Sequence, residues 1–230
     1  MDTKLKKNKL MMLSLIFIVF SLIIIPVSRA AQVTFVVEGY LEYVGDELAG
    51  TFSLGDLYHL EYTFDSTTLD SIPDDPDHGG YNNSISSLWV KIGDYSAVAD
   101  SSGRNHIDVI NDHPVDADLY RVALLDPMIG ESINGYNPAN FQAPLLSLTD
   151  LSMNAFSSDE LFTYALDHSN FIGCIALTFY NPNVNPVFQS TGIQANISSF
   201  EVSSIPIPSS FLLFFSGLFG LLGANKFRKD

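Results

Sequence analysis

Residues 32–44 alternate apolar and polar side chains with a period of two. Val33, Phe35, Val37, Leu41 and Tyr43 are set against Thr34, Glu38 and Glu42. Such a run folds as a half-buried strand with one apolar and one wet face. The period recurs along the chain. Tyr58, Leu60, Tyr62 and Phe64 alternate with His59, Glu61 and Thr63, and Leu88, Val90 and Ile92 with Ser87, Trp89 and Lys91. Gly93-Asp94 then interrupts and Tyr95–Ala99 resumes, which predicts a hairpin. Residues 107–110 and 120–125 form a second pair across an acidic turn. Residues 145–148, 175–180 and 195–202 bring the expectation to about nine strands.

Between the two ends of the chain no segment sustains a helical period. The nearest candidate, 151–166, is interrupted throughout by Asn, Ser and Thr. Gly, Pro, Asn and Asp punctuate the spaces, and no repeat of fixed period is present. The expected fold is therefore all-β. We expect a single β-sandwich, jelly-roll or lectin-like, over 31–202, with a signal peptide before it and a hydrophobic helix after it.

Charge narrows the partners. Over 31–225 the basic residues are Lys91, Arg104 and Arg121, against 24 acidic ones, a formal net charge of −21. The other eight basic residues sit at the two ends, so the chain total of −15 understates the asymmetry. Such a surface repels phosphate, which excludes nucleic acid as a partner, and it attracts divalent cations. Cys174, the single cysteine, lies in the apolar stretch 171–177, so no internal disulfide forms. A structural thiol is expected there rather than a nucleophile.

Both ends carry addresses. Lys4, Lys6, Lys7 and Lys9 precede the apolar run 10–25, Pro26 breaks it, and Ser28-Arg29-Ala30 offers small residues for a signal-peptide cut. We place that cut after Ala30, with Ala31 as the second choice. At the other end, Ile205-Pro206-Ile207-Pro208 leads into the apolar segment 211–224 and the basic tip Lys226, Arg228 and Lys229. Fourteen helical residues span about 21 Å, short of a hydrocarbon core of about 30 Å. Under the positive-inside rule the tip stays cytoplasmic and the domain outside.

This tail resembles the PEP-CTERM sorting signal of Gram-negative bacteria, closest to the variant with Val-Pro-Leu-Pro. Ser216-Gly217-Leu218-Phe219-Gly220-Leu221-Leu222-Gly223 matches its Gly-punctuated helix, and the departure is the missing Glu of the Pro-Glu-Pro triplet. The resemblance implies recognition by an exosortase-like membrane protease and a transient stay in the inner membrane. The region between the ends is similar to that of other proteins bearing such tails. The likeness rests on Tyr62-Thr63-Phe64-Asp65-Ser66-Thr67-Thr68, Ile85-Ser86-Ser87-Leu88 and Leu146-Ser147-Leu148-Thr149-Asp150. It implies an extracellular surface or matrix component without enzyme activity.

The constellations that could carry chemistry are acidic. Asp70, Asp74, Asp75 and Asp77 crowd one loop between prolines, ahead of His78-Gly79-Gly80. Asp108, Asn111, Asp112, Asp116 and Asp118 form a second cluster beside His106 and His113. Carboxylates on tight loops suit calcium, for which Asp74, Asp75, Asp77, Asp108, Asp112 and Asp116 are the candidate ligands. The spacing is not that of an EF-hand, and solvated acidic loops are the simpler reading of both clusters. No other cofactor is expected. The histidines form no His-x-x-x-His pair, so a zinc hydrolase is unsupported, and Gly-x-Ser-x-Gly is absent, which leaves a secreted hydrolase built on a carboxylate pair or a Ser-His-Asp triad as the third reading. Tyr81 and Tyr136, near the acidic loops, are candidates for a shallow saccharide site. The remaining tyrosines and Trp89 fit core or sheet-face positions. The sequence therefore points to an exported structural or adhesive protein at the cell surface or in exopolysaccharide, with a calcium-dependent carbohydrate-binding module as the alternative.

Overall fold

The first strand, β1 (Gln32–Val44), organises the rest. In a computed structural model, described here over residues 32–100, 102–113, 117–139, 144–183 and 190–203, β1 pairs with different neighbours along its length. The other strands are β2 (Leu57–Asp65), β3 (His78–Asn82), β4 (Ile85–Ile92), β5 (Tyr95–Ala99), β6 (Asn105–His113) and β7 (Ala117–Leu124). Then come β8 (Met128–Gly130), β9 (Asn137–Ala139), β10 (Leu146–Asp150), β11 (Ile172–Tyr180), β12 (Ser190–Ala195) and β13 (Ser199–Ser203). Apart from two short 3-10 turns, Asp46–Leu48 and His168–Asn170, all regular structure among the described residues is strand. No helix among them is long and apolar enough to cross a membrane. The expected signal-peptide cut at Ala30 or Ala31, the 205–208 motif, the 211–224 helix and the tip Lys226, Arg228 and Lys229 all lie outside the described residues.

The strands form one curled antiparallel sheet, a half-barrel, in the order β3-β6-β7-β10-β11-β12-β1-β2-β4-β5-β8. β9 adds to β11, and β13 adds to β1. The curl turns at β1. Its first part pairs with β2 and β13, and its last part pairs with β12. A bulge separates the two, because the register slips between Leu41 and Tyr43. Bulges sharpen twist and bend the strand that carries them. On the same side of β1 the chain of 195–202, expected as one strand, splits into β12 and β13. Asn196 fills the gap, with its side-chain oxygen accepting from the Tyr40 N–H at 2.9 Å. It sits so close that a Cβ on Gly39 would lie 1.6 Å from the Asn196 carbonyl oxygen. Glycine is therefore obligatory at 39 in this packing.

The core lies between the facing arms of the curl. Phe35, Tyr62, Phe64, Tyr120 and Phe179 are among its fully buried side chains. The Tyr62 and Tyr120 hydroxyls hydrogen-bond at 3.0 Å across it, joining β2 to β7. Residues 151–166, the best helical candidate, run as irregular chain and deliver Phe156 and Phe162 to the core. Phe162 packs on Phe35, Tyr120 and Phe156 with ring centres 5.6, 4.7 and 5.5 Å away. Buried Asp118 fixes this segment by accepting from the Ala155 and Phe156 N–H groups at 2.9 and 3.0 Å.

Three short strands, β3, β8 and β9, were not expected. Gly79 and Gly80 read as loop residues, yet they pair in β3 with Val109 and Asp108 of β6. A Cβ at Gly79 would meet the Asp159 carbonyl oxygen at 2.2 Å, so tertiary packing selects glycine there. The Gly93-Asp94 hairpin stands between β4 and β5 as the sequence predicts.

Candidate functional site

The acidic loops come first because the sequence singles them out. Pairing of β3 with β6 sets them side by side, and the Asn111 N–H donates to the Asp77 carbonyl at 2.9 Å. Their carboxylates do not converge. Asp74, Asp75 and Asp77 are exposed. The Asp75 side chain accepts from the Asp77 N–H, and Asp70 accepts from the N–H groups of Ile72 and Gly80, as turn-forming aspartates do. Asp108 is held by two histidines. His106 Nε2 and His78 Nε2 lie 2.7 and 3.0 Å from its Oδ1. Asp112 is exposed with a left-handed backbone, φ 57°, and Asp116 lies outside the described residues. Among the described residues no three His, Cys, Asp or Glu groups are placed to hold a metal ion.

Asp108 and Asn82 engage both ring nitrogens of His106. One expectation about a side chain in this region changes. Tyr81 is no saccharide platform. It is buried and donates its hydroxyl to the Asp159 carbonyl at 2.9 Å. Burial, with Asp159 and Asp70 nearby, pushes its phenol up to about 12. Cys174 is partly buried on the outer side of β11, and burial raises its thiol above the ordinary value. It stays protonated at neutral pH, as a structural thiol does.

The outward face of β1, β2 and β4 carries a different arrangement. Alternation places Val36, Glu38 and Tyr40 of β1 beside Leu57, His59 and Glu61 of β2, and Trp89 and Lys91 of β4 beyond them. Tyr40 pairs with Leu57, Glu38 with His59, and Glu61 with Trp89. The His59 ring lies on Trp89, with centroids 4.8 Å apart and planes 34° from parallel. Its Nδ1–H donates to Glu38 Oε1 at 2.9 Å. Its Nε2 is shielded from solvent without a hydrogen-bond partner.

The bulge extends this face. Regular alternation would bury Tyr43 beside Leu41, as the sequence pattern suggests. The extra residue reverses its side, and Tyr43 is 56% exposed where Leu41 is buried. Tyr40 is 50% exposed, Leu57 44% and Leu54 68%. Glu42, Tyr43, Ser53 and Leu54 line an open cleft of about 550 Å³ at this end. The result is a run of rings, Trp89, His59, Tyr40 and Tyr43, each with a carboxylate near it in sequence or register. Sequence reasoning had the tyrosines and Trp89 in view but could not align them, because a one-residue bulge leaves no mark in the alternation. No protein-family model matches the chain, and no curated protein or solved structure matches it significantly.

Proposed function

We propose that the chain is an exported protein of the cell surface or exopolysaccharide matrix, with a structural or adhesive role. The observation that carries this reading is the outward face with Trp89, Tyr40 and Tyr43. Tyr40 and Tyr43 are half exposed and Trp89 is partly buried on that face, and a grouping of rings in contact with water suits contact with another molecule. The terminal sequences support the address. In this reading the cut after Ala30 or Ala31 releases the N-terminus. The Ile205-Pro206-Ile207-Pro208 motif, the 211–224 segment and the tip Lys226, Arg228 and Lys229 then hold the chain in the inner membrane until an exosortase-like protease acts. The facing arms of the curled sheet would correspond to the two layers of a jelly-roll or lectin-like sandwich.

Fractionation of producing cells tests the address. The intact chain should reach the surface or the medium, and a Pro206→Ala/Pro208→Ala variant should stay with the inner membrane. Identical distributions would contradict the role of the tail. A calcium-dependent carbohydrate-binding module is the second reading, favoured by the Asn111–Asp77 bond that sets the two acidic loops side by side. A rise in melting temperature at millimolar calcium, lost in Asp77→Asn, would support it. No shift would remove it.

A further inference from the structure

We infer that the outer face of β1, β2 and β4 binds a polysaccharide that carries free primary amines. The inference rests on the surface-contact reading above and names the ligand of that face. Flat apolar faces of pyranose rings pack on aromatic rings, and protonated amines pair with carboxylates. The face offers both in alternation. Trp89 stands opposite Glu61 in register, and His59 opposite Glu38. Tyr43 follows Glu42 in the chain, and both are exposed. On β13, Glu201 pairs with Val36 and adds a further carboxylate at the edge.

Charge selects among partners. Lys91 is the one cation placed on this face among the described residues. Arg104 lies elsewhere and is paired with Asp126 at 3.0 Å. A polyuronate, a nucleic acid or an anionic bilayer would meet net repulsion. So would a second copy of this chain, which carries −21 over 31–225. A chain of sugars with ammonium groups gains from both the rings and the carboxylates. The bulge at Glu42 is what brings Tyr43 onto the same side as Tyr40, so its geometry belongs to the site rather than to the core.

The test uses the full-length protein and four probes: a glucosamine oligosaccharide, its fully N-acetylated counterpart, an oligouronate and polylysine. The expected result is retention of the glucosamine form, at least about tenfold weaker binding of the acetylated form, and none of the oligouronate. Trp89→Ala and Tyr40→Ala should each weaken glucosamine binding about tenfold, and Trp89→Phe should restore most of it. Tyr40 and Tyr43 are exposed, so Tyr40→Ala and Tyr43→Ala keep the test decisive if Trp89→Ala fails to fold. Undiminished binding by these variants would overturn the site. Equal binding of the acetylated form would overturn the amine assignment. Polylysine bound as tightly, with the variants indifferent, would reduce the effect to bulk charge and overturn the proposal. Because binding is measured on purified protein, its failure is distinct from failure of the sorting address.

Discussion

The hydroxyl of Tyr62 on β2 meets that of Tyr120 on β7 at 3.0 Å inside the core, where both residues are fully buried. Burial pushes both phenols well above the ordinary tyrosine range, so neither ionises at any pH of interest. The pair is a neutral hydrogen bond between the two arms of the curl. Tyr62→Phe or Tyr120→Phe alone leaves a buried hydroxyl without its partner and should cost about 1–3 kcal/mol. The double Phe variant removes both polar groups and should cost less than the sum of the singles. Urea unfolding of the four proteins measures the coupling.

Gly39 is the tightest point of the fold. Its missing side chain admits the Asn196 carbonyl where the chain passes from β12 to β13. Gly39→Ala should destabilise by about 1–3 kcal/mol, the usual cost of overpacking, and should loosen β13 first. Hydrogen exchange at residues 199–203 reads this directly. Unchanged protection there would contradict the close approach.

The His78–Asp108–His106 group makes β3 pH-dependent. Burial opposes ionisation of Asp108, but hydrogen bonds from His106 and His78 outweigh it and hold its carboxyl below the ordinary range. The bond to Asp108 raises His106 above its ordinary value, against the effect of burial. The lowered Asp108 contributes stability above its unfolded value of about 3.9, and loses it as pH falls through the folded one. The raised His106 contributes fully below about 6.5, and its contribution fades as pH rises through the folded value. The stabilisation is therefore greatest between about pH 4 and 6.5. The melting-temperature difference between the native chain and Asp108→Asn should peak in that window and shrink above neutrality.

Asp118 holds the 151–166 segment through two backbone N–H groups, while its other oxygen accepts from the Asp112 N–H at 3.0 Å. Asp118→Ala should cost about 2 kcal/mol or more, since bonds to a charged acceptor are the stronger kind. It should also expose residues 151–166 to limited proteolysis before the strands are cut. Cleavage elsewhere first would contradict its anchoring role.

The strands were legible where one face of the sheet is buried and the other wet. β1, β2 and the β4–β5 hairpin fall where period two and Gly93-Asp94 place them. Legibility failed where pairing, not pattern, decides. β3 forms because Gly79 fits under the Asp159 carbonyl, Gly80 fits against Ser71 and Ile72, and both pair with β6, although neither residue favours a strand. The alternation of 195–202 reads through Asn196 without a break, yet that residue is where the chain leaves one partner stretch of β1 for another. Tyr43 shows the same limit at the candidate site, since its parity with Leu41 holds in sequence and is reversed by the bulge. The adjacency of the two acidic loops was not legible, because the pairing of β3 with β6 sets it, and the described aspartates Asp70, Asp75 and Asp108 bond to turn N–H groups and histidines.

The most direct test of the account is the intact mass of the protein recovered from producing cells, taken separately from membrane, surface and medium. The account predicts a chain beginning at residue 31 or 32 and ending near 205–210, in the surface or medium fraction. A chain that retains Lys229 and Asp230, confined to the inner membrane, would contradict it.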